Sequence, residues 1–302
     1  MSILIFGHKN PDTDSVISSL VLNDYLKLKG QDTVSCMLGN LSKETSYILE
    51  RENMEPPKII DKVEDGQEVM MVDHNEFTQS VSNIENAKIL RVIDHHRVNN
   101  FKTDYPLDMR LETVGCSNTI LYKLYKESNL EPTDTIKRLI LSAIISDTLL
   151  FKSPTCTQED KDIANEIIND LNIDVQDFGM KILKAGTDLS GKSAKDILNI
   201  DAKEFPLDNK TYKVAQINTA DIETLLEEYE SSIREEVNNE LSNGISTFIV
   251  MITDIVNSNS LLLILGNDVK ELEQSFNVIL NNDKALLEGV VSRKKQIVPN
   301  LK

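Results

Sequence analysis

The chain has 302 residues and a formal charge of −17, set by 32 Lys and Arg against 49 Asp and Glu. That length suggests about two domains, each long enough to bury a core, and 40% hydrophobic with 27% charged residues is the balance of a soluble globular protein. The acidity argues against non-specific nucleic-acid binding and against docking on anionic lipid.

No apolar run reaches the roughly 18 residues that cross a bilayer. The start, from Met1 to His8, has no basic segment and too short an apolar stretch for a signal peptide, and it reads as a first strand. Cys36, Cys116 and Cys156 are widely spaced, with no CxxC. Three reduced thiols in a cytoplasmic protein are therefore expected, with neither a disulfide framework nor a zinc set.

Residues 3–6 form a short apolar run, followed by a helical stripe of Val16, Ile17, Leu20, Val21, Tyr25 and Leu28. Residues 68–72 and 89–93 are further strand-like runs rich in Val, Ile and Met. Residues 116–128, 134–149 and 157–171 look helical. Alternation of this kind predicts an α/β fold with a mainly parallel sheet flanked by helices. Residues 184–192, with Gly186 and Gly191 among small polar residues, read as a turn. The expected division is a first domain over 1–186, a linker over 187–193 and a smaller α/β domain over 194–302. There, residues 211–217, 246–253 and 261–265 read as strands, 220–241 as a long acidic helix and 268–276 as a further helix. Glu223, Glu227 and Glu230 share one face of the acidic helix, read as solvated surface.

All four histidines, His8, His74, His95 and His96, lie before residue 97. Each follows a strand-like run and sits near an aspartate: residues 7–14 read GHKNPDTD, 72–76 VDHNE and 93–97 IDHHR. In an open parallel sheet, ligands bind beyond the carboxyl ends of the strands, so three strand ends would present Asp and His to one crevice. Asp12 and Asp14 could instead cap a helix, and Asp73 alone could form a turn. Adjacent histidines after a buried strand rarely serve packing alone. Asp147 falls on the apolar stripe of Ile136, Ile140 and Ile144, where a carboxylate needs a partner or a metal; bonding to the helix-end backbone is the alternative. Four carboxylates (Asp12, Asp14, Asp73, Asp147) with several imidazoles suit Mn²⁺, and Co²⁺ less characteristically. Such a set can hold two divalent ions ~3.5–4 Å apart. At the other end, Arg293, Lys294 and Lys295 follow Ser292 in a strongly acidic chain. With Lys203 they suggest a basic island for a compact polyanion. Strand alternation would aim Arg293 and Lys295 to one side and Lys294 to the other, unless a bend intervenes.

The segments 7–15, 72–76, 94–97, 146–148 and 292–296 together resemble the motif series of the family II inorganic pyrophosphatases, the manganese-dependent members of the DHH phosphoesterase superfamily. The likeness runs from about residue 3 to residue 299. The DHH triplet speaks only for the superfamily, while the final SRKKQ motif singles out pyrophosphatase. The resemblance implies that His8, Asp12 and Asp73 hold one metal, and that Asp14, Asp73, His95 and Asp147 hold the other, with Asp73 bridging. It implies that His96, Lys203, Arg293 and Lys294 bind phosphate and that a further Mg²⁺ or Mn²⁺ arrives with the substrate. It also implies a C-terminal DHHA2-type domain, an active site between the domains with Gly186 and Gly191 as hinge candidates, and a homodimer built through the first domain. The expected reaction is hydrolysis of pyrophosphate by in-line attack of a water shared by two metals. The alternatives are an exopolyphosphatase or an oligonucleotide phosphodiesterase of the same superfamily, or a non-enzymatic metal- or nucleotide-binding regulator. Superfamily nucleases end in a glycine-rich, histidine-containing motif, and no histidine follows residue 96 here. Cys116 precedes an expected helix, a place that can lower a thiol pKa, against a plain structural role.

Overall fold

The computed structural model describes residues 2–207 and 210–301, and the chain divides into two compact units, Met1–Gly186 and Thr187–Lys302. The first unit runs β1 (Ile3–Phe6), α1 (Thr13–Leu28), β2 (Thr33–Met37), α2 (Lys43–Arg51), β3 (Lys58–Ile59), β4 (Glu68–Val72), β5 (Lys88–Asp94), β6 (Asp108–Leu111), α3 (Ser117–Glu127), α4 (Asp134–Thr148), α5 (Gln158–Leu171) and α6 (Val175–Gly186). Its six strands are parallel in the order β3-β2-β1-β4-β5-β6. Parallel neighbours require long crossovers, and the chain reverses its direction of growth between β1 and β4. That reversal opens a crevice at the strands' carboxyl ends.

Helix α1 packs on β1 and β2, with α3 and α4 against it. Val16, Ile17, Leu20, Val21 and Tyr25 of the expected stripe are buried, joined by Leu22 and Leu26, but Leu28 at its last position is 53% exposed. Another cluster joins Phe6, Cys36, Val69, Met71 and Val92 of the sheet to Val63, Val81 and Ile84 from the connections on either side of β4, Ile84 opening a short 3-10 turn. Strand β2 and helices α2 and α6 were not legible beforehand. Polar Thr33 and Ser35 interrupt β2, yet both are buried because the strand lies between β1 and β3. Residues 184–186, expected in a turn, close α6 instead.

The second unit runs α7 (Ala194–Leu198), β7 (Ala202–Leu207), β8 (Lys210–Thr219), α8 (Ile222–Ser242), β9 (Thr247–Asp254), β10 (Asn259–Gly266), α9 (Val269–Phe276) and β11 (Lys284–Leu287). The order is β11-β10-β9-β8-β7, with only β8 and β9 parallel. Alternation assigns side chains to two cores. Ala215, Ile217, Phe248, Val250 and Ile252 pack with Leu225, Ile233 and Val237 of α8. Tyr212, Val214, Ile249 and Met251 pack with Leu272 of α9, Ile297 and Leu301. Burial on both faces explains the unbroken apolar run of β9. Of the glutamates read as solvated, Glu230 instead pairs with Arg234 and Lys284 at 2.9 and 2.7 Å. No helix among the described residues is long and apolar enough to cross a membrane.

Candidate metal centre

Strands β1, β4 and β5 are neighbours and end at Phe6, Val72 and Asp94. His8, Asp73, His95 and His96 therefore leave the sheet side by side at the switch point. Asp73 turns out of β4 through a left-handed conformation, φ +57°, with its N–H donating to the Ile93 carbonyl at 2.9 Å. Its buried carboxylate has His8 Nε2 3.5 Å from Oδ2, and His95 Nε2 3.3 Å from Oδ1. His8 Nε2 is also 3.4 Å from Asp12 Oδ2. The capping alternative for Asp12 holds as well: it is the N-cap of α1, and its Oδ1 accepts from Ser15 N at 3.0 Å. Asp14 Oδ2 and Asp147 Oδ2 lie 3.9 and 4.0 Å from His95 Nε2. Candidate donor atoms fall into three groups, each within 4.8 Å: His8, Asp12 and Asp73; Asp73, His95 and His96; and Asp14, Cys116 and Asp147. The first unit thus brings together all seven of its expected site residues.

His95 Nδ1 sits 3.0 Å from the Val114 carbonyl, which only accepts, so this nitrogen carries the proton and Nε2 is left to face the carboxylates. His96 is oriented differently. Its Nδ1 is 2.9 Å from Asp94 Oδ1, which also accepts from the backbone N–H groups of His95 and His96 at 2.7 and 3.0 Å. Asp94 Oδ2 accepts from Asn75 Nδ2 at 2.6 Å. Asp94 and Asn75, absent from the expected site, thus fix the His96 ring.

The electrostatics are those of crowded anions. Burial, then the Asp73 charge, pushes Asp14 up to about 6. Burial and the charges of Asp14, Asp12 and Asp73 push Asp147 well above the carboxylate range. Burial opposes a charge on His95, but the Asp73 hydrogen bond and the charges of Asp73 and Asp14 prevail, raising it to about 9. Asp73 goes the other way: burial is outweighed by hydrogen bonds from His8 and His95, holding it well below its usual range. Burial drives His74 down to about 4; its Nδ1 meets the Val72 carbonyl at 2.9 Å and its Nε2 is buried without a partner. A neutral His74 therefore packs behind the cluster, its ring edge-on to His8 at 6.5 Å.

Asp14 is completely buried and accepts from Ser117 N at 2.7 Å, Asn118 N at 3.3 Å, Asn118 Nδ2 at 2.7 Å, Ser18 Oγ at 3.1 Å and Cys116 Sγ at 3.1 Å. The carboxylate thus seats on the N-terminus of α3, where free N–H groups and the helix dipole favour an anion. Cys116 is the N-cap of this helix, but its thiol is not activated: burial, then the Asp14 and Asp147 charges, drives its pKa upward. A Gly followed by small polar residues at a helix start is the sequence signal for such an anion seat.

In the second unit, Lys203 is exposed on β7, and residues 293–297 form one turn of π-helix, with Arg293 buried and Lys294 exposed. The strand alternation expected here is replaced by a wrapped turn. Ser292 Oγ accepts from Lys295 N at 3.3 Å, and Gln296 Oε1 accepts from Val291 N and Ser292 N, each at 3.0 Å. Arg293 Nη2 donates to Asp201 Oδ1 at 2.6 Å, and Nη1 donates to the carbonyls of Asp201 and, at 3.4 Å, Val214. Val214 is the register partner of Lys203, so two of the basic residues gather at the β7–β8 pair. Gly186, a hinge candidate, ends α6 so close to Glu44 that a Cβ would lie 2.7 Å from its Oε2. Gly191 has the positive φ, +77°, that favours glycine.

Residues 2–145 match the DHH family, N-terminal domain, and residues 180–302 the DHHA2 domain. A protein of Oceanobacillus iheyensis, named "probable manganese-dependent inorganic pyrophosphatase", is 46% identical over 296 residues, spanning 98% of this chain and 96% of its own. One of Enterococcus faecalis with the same name is 46% identical over 303 residues, 99% and 97% of the two chains. The crystal structure of a protein described as "Methanococcus jannaschii putative family II inorganic pyrophosphatase" matches with a TM-score of 0.82 at 35% identity, over 99% of this chain and 98% of that one. With 46% identity along almost its whole length and both domains in order, the chain belongs to the manganese-dependent, family II inorganic pyrophosphatases of the DHH superfamily.

Proposed function

We propose that the chain hydrolyses pyrophosphate to two phosphates with Mn²⁺ as its cofactor. The observation that carries this reading is the shared aspartate: Asp73 belongs to two of the donor groups, at the crevice where a parallel sheet takes its ligand. The donor set fits the ion. Four carboxylates and two imidazoles are hard and borderline ligands, and the raised Asp14 and Asp147 are charges that want a cation. His8, Asp12 and Asp73 would hold one Mn²⁺, and Asp14, Asp73, His95 and Asp147 a second. Bound there, the metals would supply positive charge to the phosphate oxygens and acidify a water. Co²⁺ is a substitute of the same ligand preference, and a further Mg²⁺ or Mn²⁺ accompanies the substrate.

The chain's own groups do the positioning on which phosphoryl transfer depends. His96, with Nδ1 tied to Asp94, offers Nε2 to the oxygen between the two phosphorus atoms. Lys203 and Lys294 add point charges. Arg293 has three of its five N–H donors committed to Asp201 and Val214, which leaves the Nε proton and one on Nη2 for phosphate. The cytoplasm and a homodimer built through the first unit complete the proposal, the latter testable by sedimentation.

Phosphate release is the test, measured from pyrophosphate, tripolyphosphate and a dinucleotide with Mn²⁺ or Mg²⁺, before and after chelation. Turnover of pyrophosphate, lost on chelation and restored by Mn²⁺, is expected. Absence of pyrophosphate turnover with every metal would sink the reading.

A further inference from the structure

One short segment, residues 114–118, touches three of the proposed metal ligands. The Val114 carbonyl takes His95 Nδ1 at 3.0 Å, Ser117 Oγ donates to Asp73 Oδ1 at 3.1 Å, and Ser117 N and Asn118 Nδ2 each donate to Asp14 at 2.7 Å. The same stretch also meets Asp160. This carboxylate is fully buried and accepts four hydrogen bonds, none from a proposed ligand. Oδ2 takes Gly115 N at 2.8 Å, and Thr157 N and Thr157 Oγ1 each at 2.7 Å; Oδ1 takes Thr119 Oγ1 at 2.6 Å. The fit is close enough to demand glycine at 115. A Cβ there would lie 2.8 Å from Asp160 Oδ2 and 2.9 Å from Cγ2 of Thr148, the neighbour of Asp147.

We propose that Asp160 is a positioning residue for the metal centre, acting through residues 114–118. Its contacts with Gly115 and Thr119 bracket the start of α3 and fix where the Ser117 and Asn118 donors stand. Those donors in turn fix Asp14, and the Val114 carbonyl fixes the His95 ring. Partners that touch a ligand directly, as Val114, Ser117 and Asn118 do, set its orientation, and their loss typically costs about 10–100-fold in metal affinity; Asp160 stands one step further out, so that figure is the upper bound for its loss. The segment's bond to the shared Asp73 goes to Oδ1, the oxygen that faces His95, and not to Oδ2, which faces His8, so the larger effect falls on the ion proposed at Asp14, His95 and Asp147. The inference rests on the metal reading above.

The test is Mn²⁺ titration of the metal-stripped full chain, with free ion followed by electron paramagnetic resonance and folding by melting temperature. In Asp160→Asn, an amide NH₂ replaces one acceptor oxygen at nearly constant volume. The Mn²⁺ class assigned to Asp14, His95 and Asp147 should weaken by up to about 10–100-fold, while the other, which shares only Asp73 with it, weakens far less. A folded Asp160→Asn with both affinities unchanged overturns the proposal. So does equal weakening of both in step with the melting temperature, since that is what a merely structural residue would give. If Asp160→Asn does not fold, Thr119→Val and Thr119→Ser decide. The valine, lacking the hydroxyl, should weaken the same ion and the serine should not; a valine variant with wild-type affinity overturns the proposal. Wild-type protein that binds no Mn²⁺ would defeat the metal reading itself, and this inference with it.

Discussion

The acidic cluster of the first unit and the basic turn of the second are built on opposite principles. In the first, Asp14, Asp73 and Asp147 crowd around one imidazole nitrogen, at 3.9, 3.3 and 4.0 Å. Without a cation, the crowding of charge favours the protonated forms of Asp14, Asp147 and His95, raising the pKa of each. In the second, the buried Arg293 already has a carboxylate and two carbonyls of its own chain. The first site is thus poised to exchange protons for metal. The second is already organised, with three of the five N–H donors of Arg293 engaged within the chain. Damage to the first should therefore appear in metal affinity and proton linkage, and damage to the second in substrate turnover at unchanged metal affinity.

Asp73→Ala should have the largest effect. It removes the carboxylate shared by two donor groups and strips the partner from His8 and His95. Mn²⁺ affinity should fall by more than the ~100-fold that follows loss of an orienting partner, with activity lost in parallel; metal binding within tenfold of wild type would remove Asp73 from the centre. Arg293→Ala comes next. Turnover of pyrophosphate should drop by about 10²–10³, the usual cost of removing one preorganised donor to developing charge, with Mn²⁺ binding unmoved. Arg293→Lys should recover only part of this, because lysine keeps the charge but not the fork held by Asp201. A loss of Mn²⁺ affinity in either variant would erase the contrast between the regions.

The parts of these sites that sequence exposes are those where residue type alone is diagnostic. Asp147 betrayed itself by standing on an apolar stripe, and His8, Asp12 and Asp14 by their spacing behind a strand. What stayed hidden is carried by backbone or by distance along the chain. Ser117 and Asn118 act partly through N–H groups that every residue owns. Asp160 reads as an ordinary capping-box residue beside Thr157, since its bond to Gly115 spans 45 positions. Asp201 meets Arg293 across 92 positions, and no local pattern links them. The π-turn at Arg293 failed as an alternation because Ser292 and Gln296 spend their side chains closing it. Helix α2 was missed because a bare cluster of Tyr47, Ile48 and Leu49 shows too little periodicity, although Ser42 caps it as sequence rules expect.

The proton content of the first cluster gives a smaller and more directional effect. Asp14 holds its proton to about pH 6 in the folded chain against an ordinary 3.8. The folded state therefore binds the extra proton, and this group's contribution is full below about pH 4 and lost as pH rises to about 6, worth about 3 kcal/mol. His95 behaves alike in a higher window, its contribution full below 6.5 and lost as pH rises through about 9. Melting temperatures of metal-free protein should show the lower window flattened in Asp14→Asn; parallel curves for the two proteins between pH 4 and 6 would contradict it. At pH 7 the proton that His95 holds up to about pH 9 must leave when Mn²⁺ enters. Calorimetric binding enthalpies should then depend on the ionisation enthalpy of the buffer, and buffer-independent values would mean that the cluster is not holding protons.

The smallest effect concerns stored strain. Helix α4 ends just after Asp147 in three consecutive left-handed residues, Leu149, Leu150 and Phe151, with φ of +47°, +52° and +66°. Each costs roughly 1–2 kcal/mol for a residue with a side chain, and such cost tends to gather at functional sites. The turn is held by Leu150 N donating to the Ile145 carbonyl at 2.9 Å and Ser153 N to the Thr148 carbonyl at 2.8 Å, so its geometry is transmitted to the turn that carries Asp147. Leu149 is only half-buried, so Leu149→Gly removes strain at little cost in packing. Metal-free protein should then gain about 1 kcal/mol, visible as a small rise in melting temperature. Mn²⁺ affinity should fall a few-fold as Asp147 loosens. A variant that gains stability and keeps its affinity would show that the strained turn ends the helix without aiming the carboxylate.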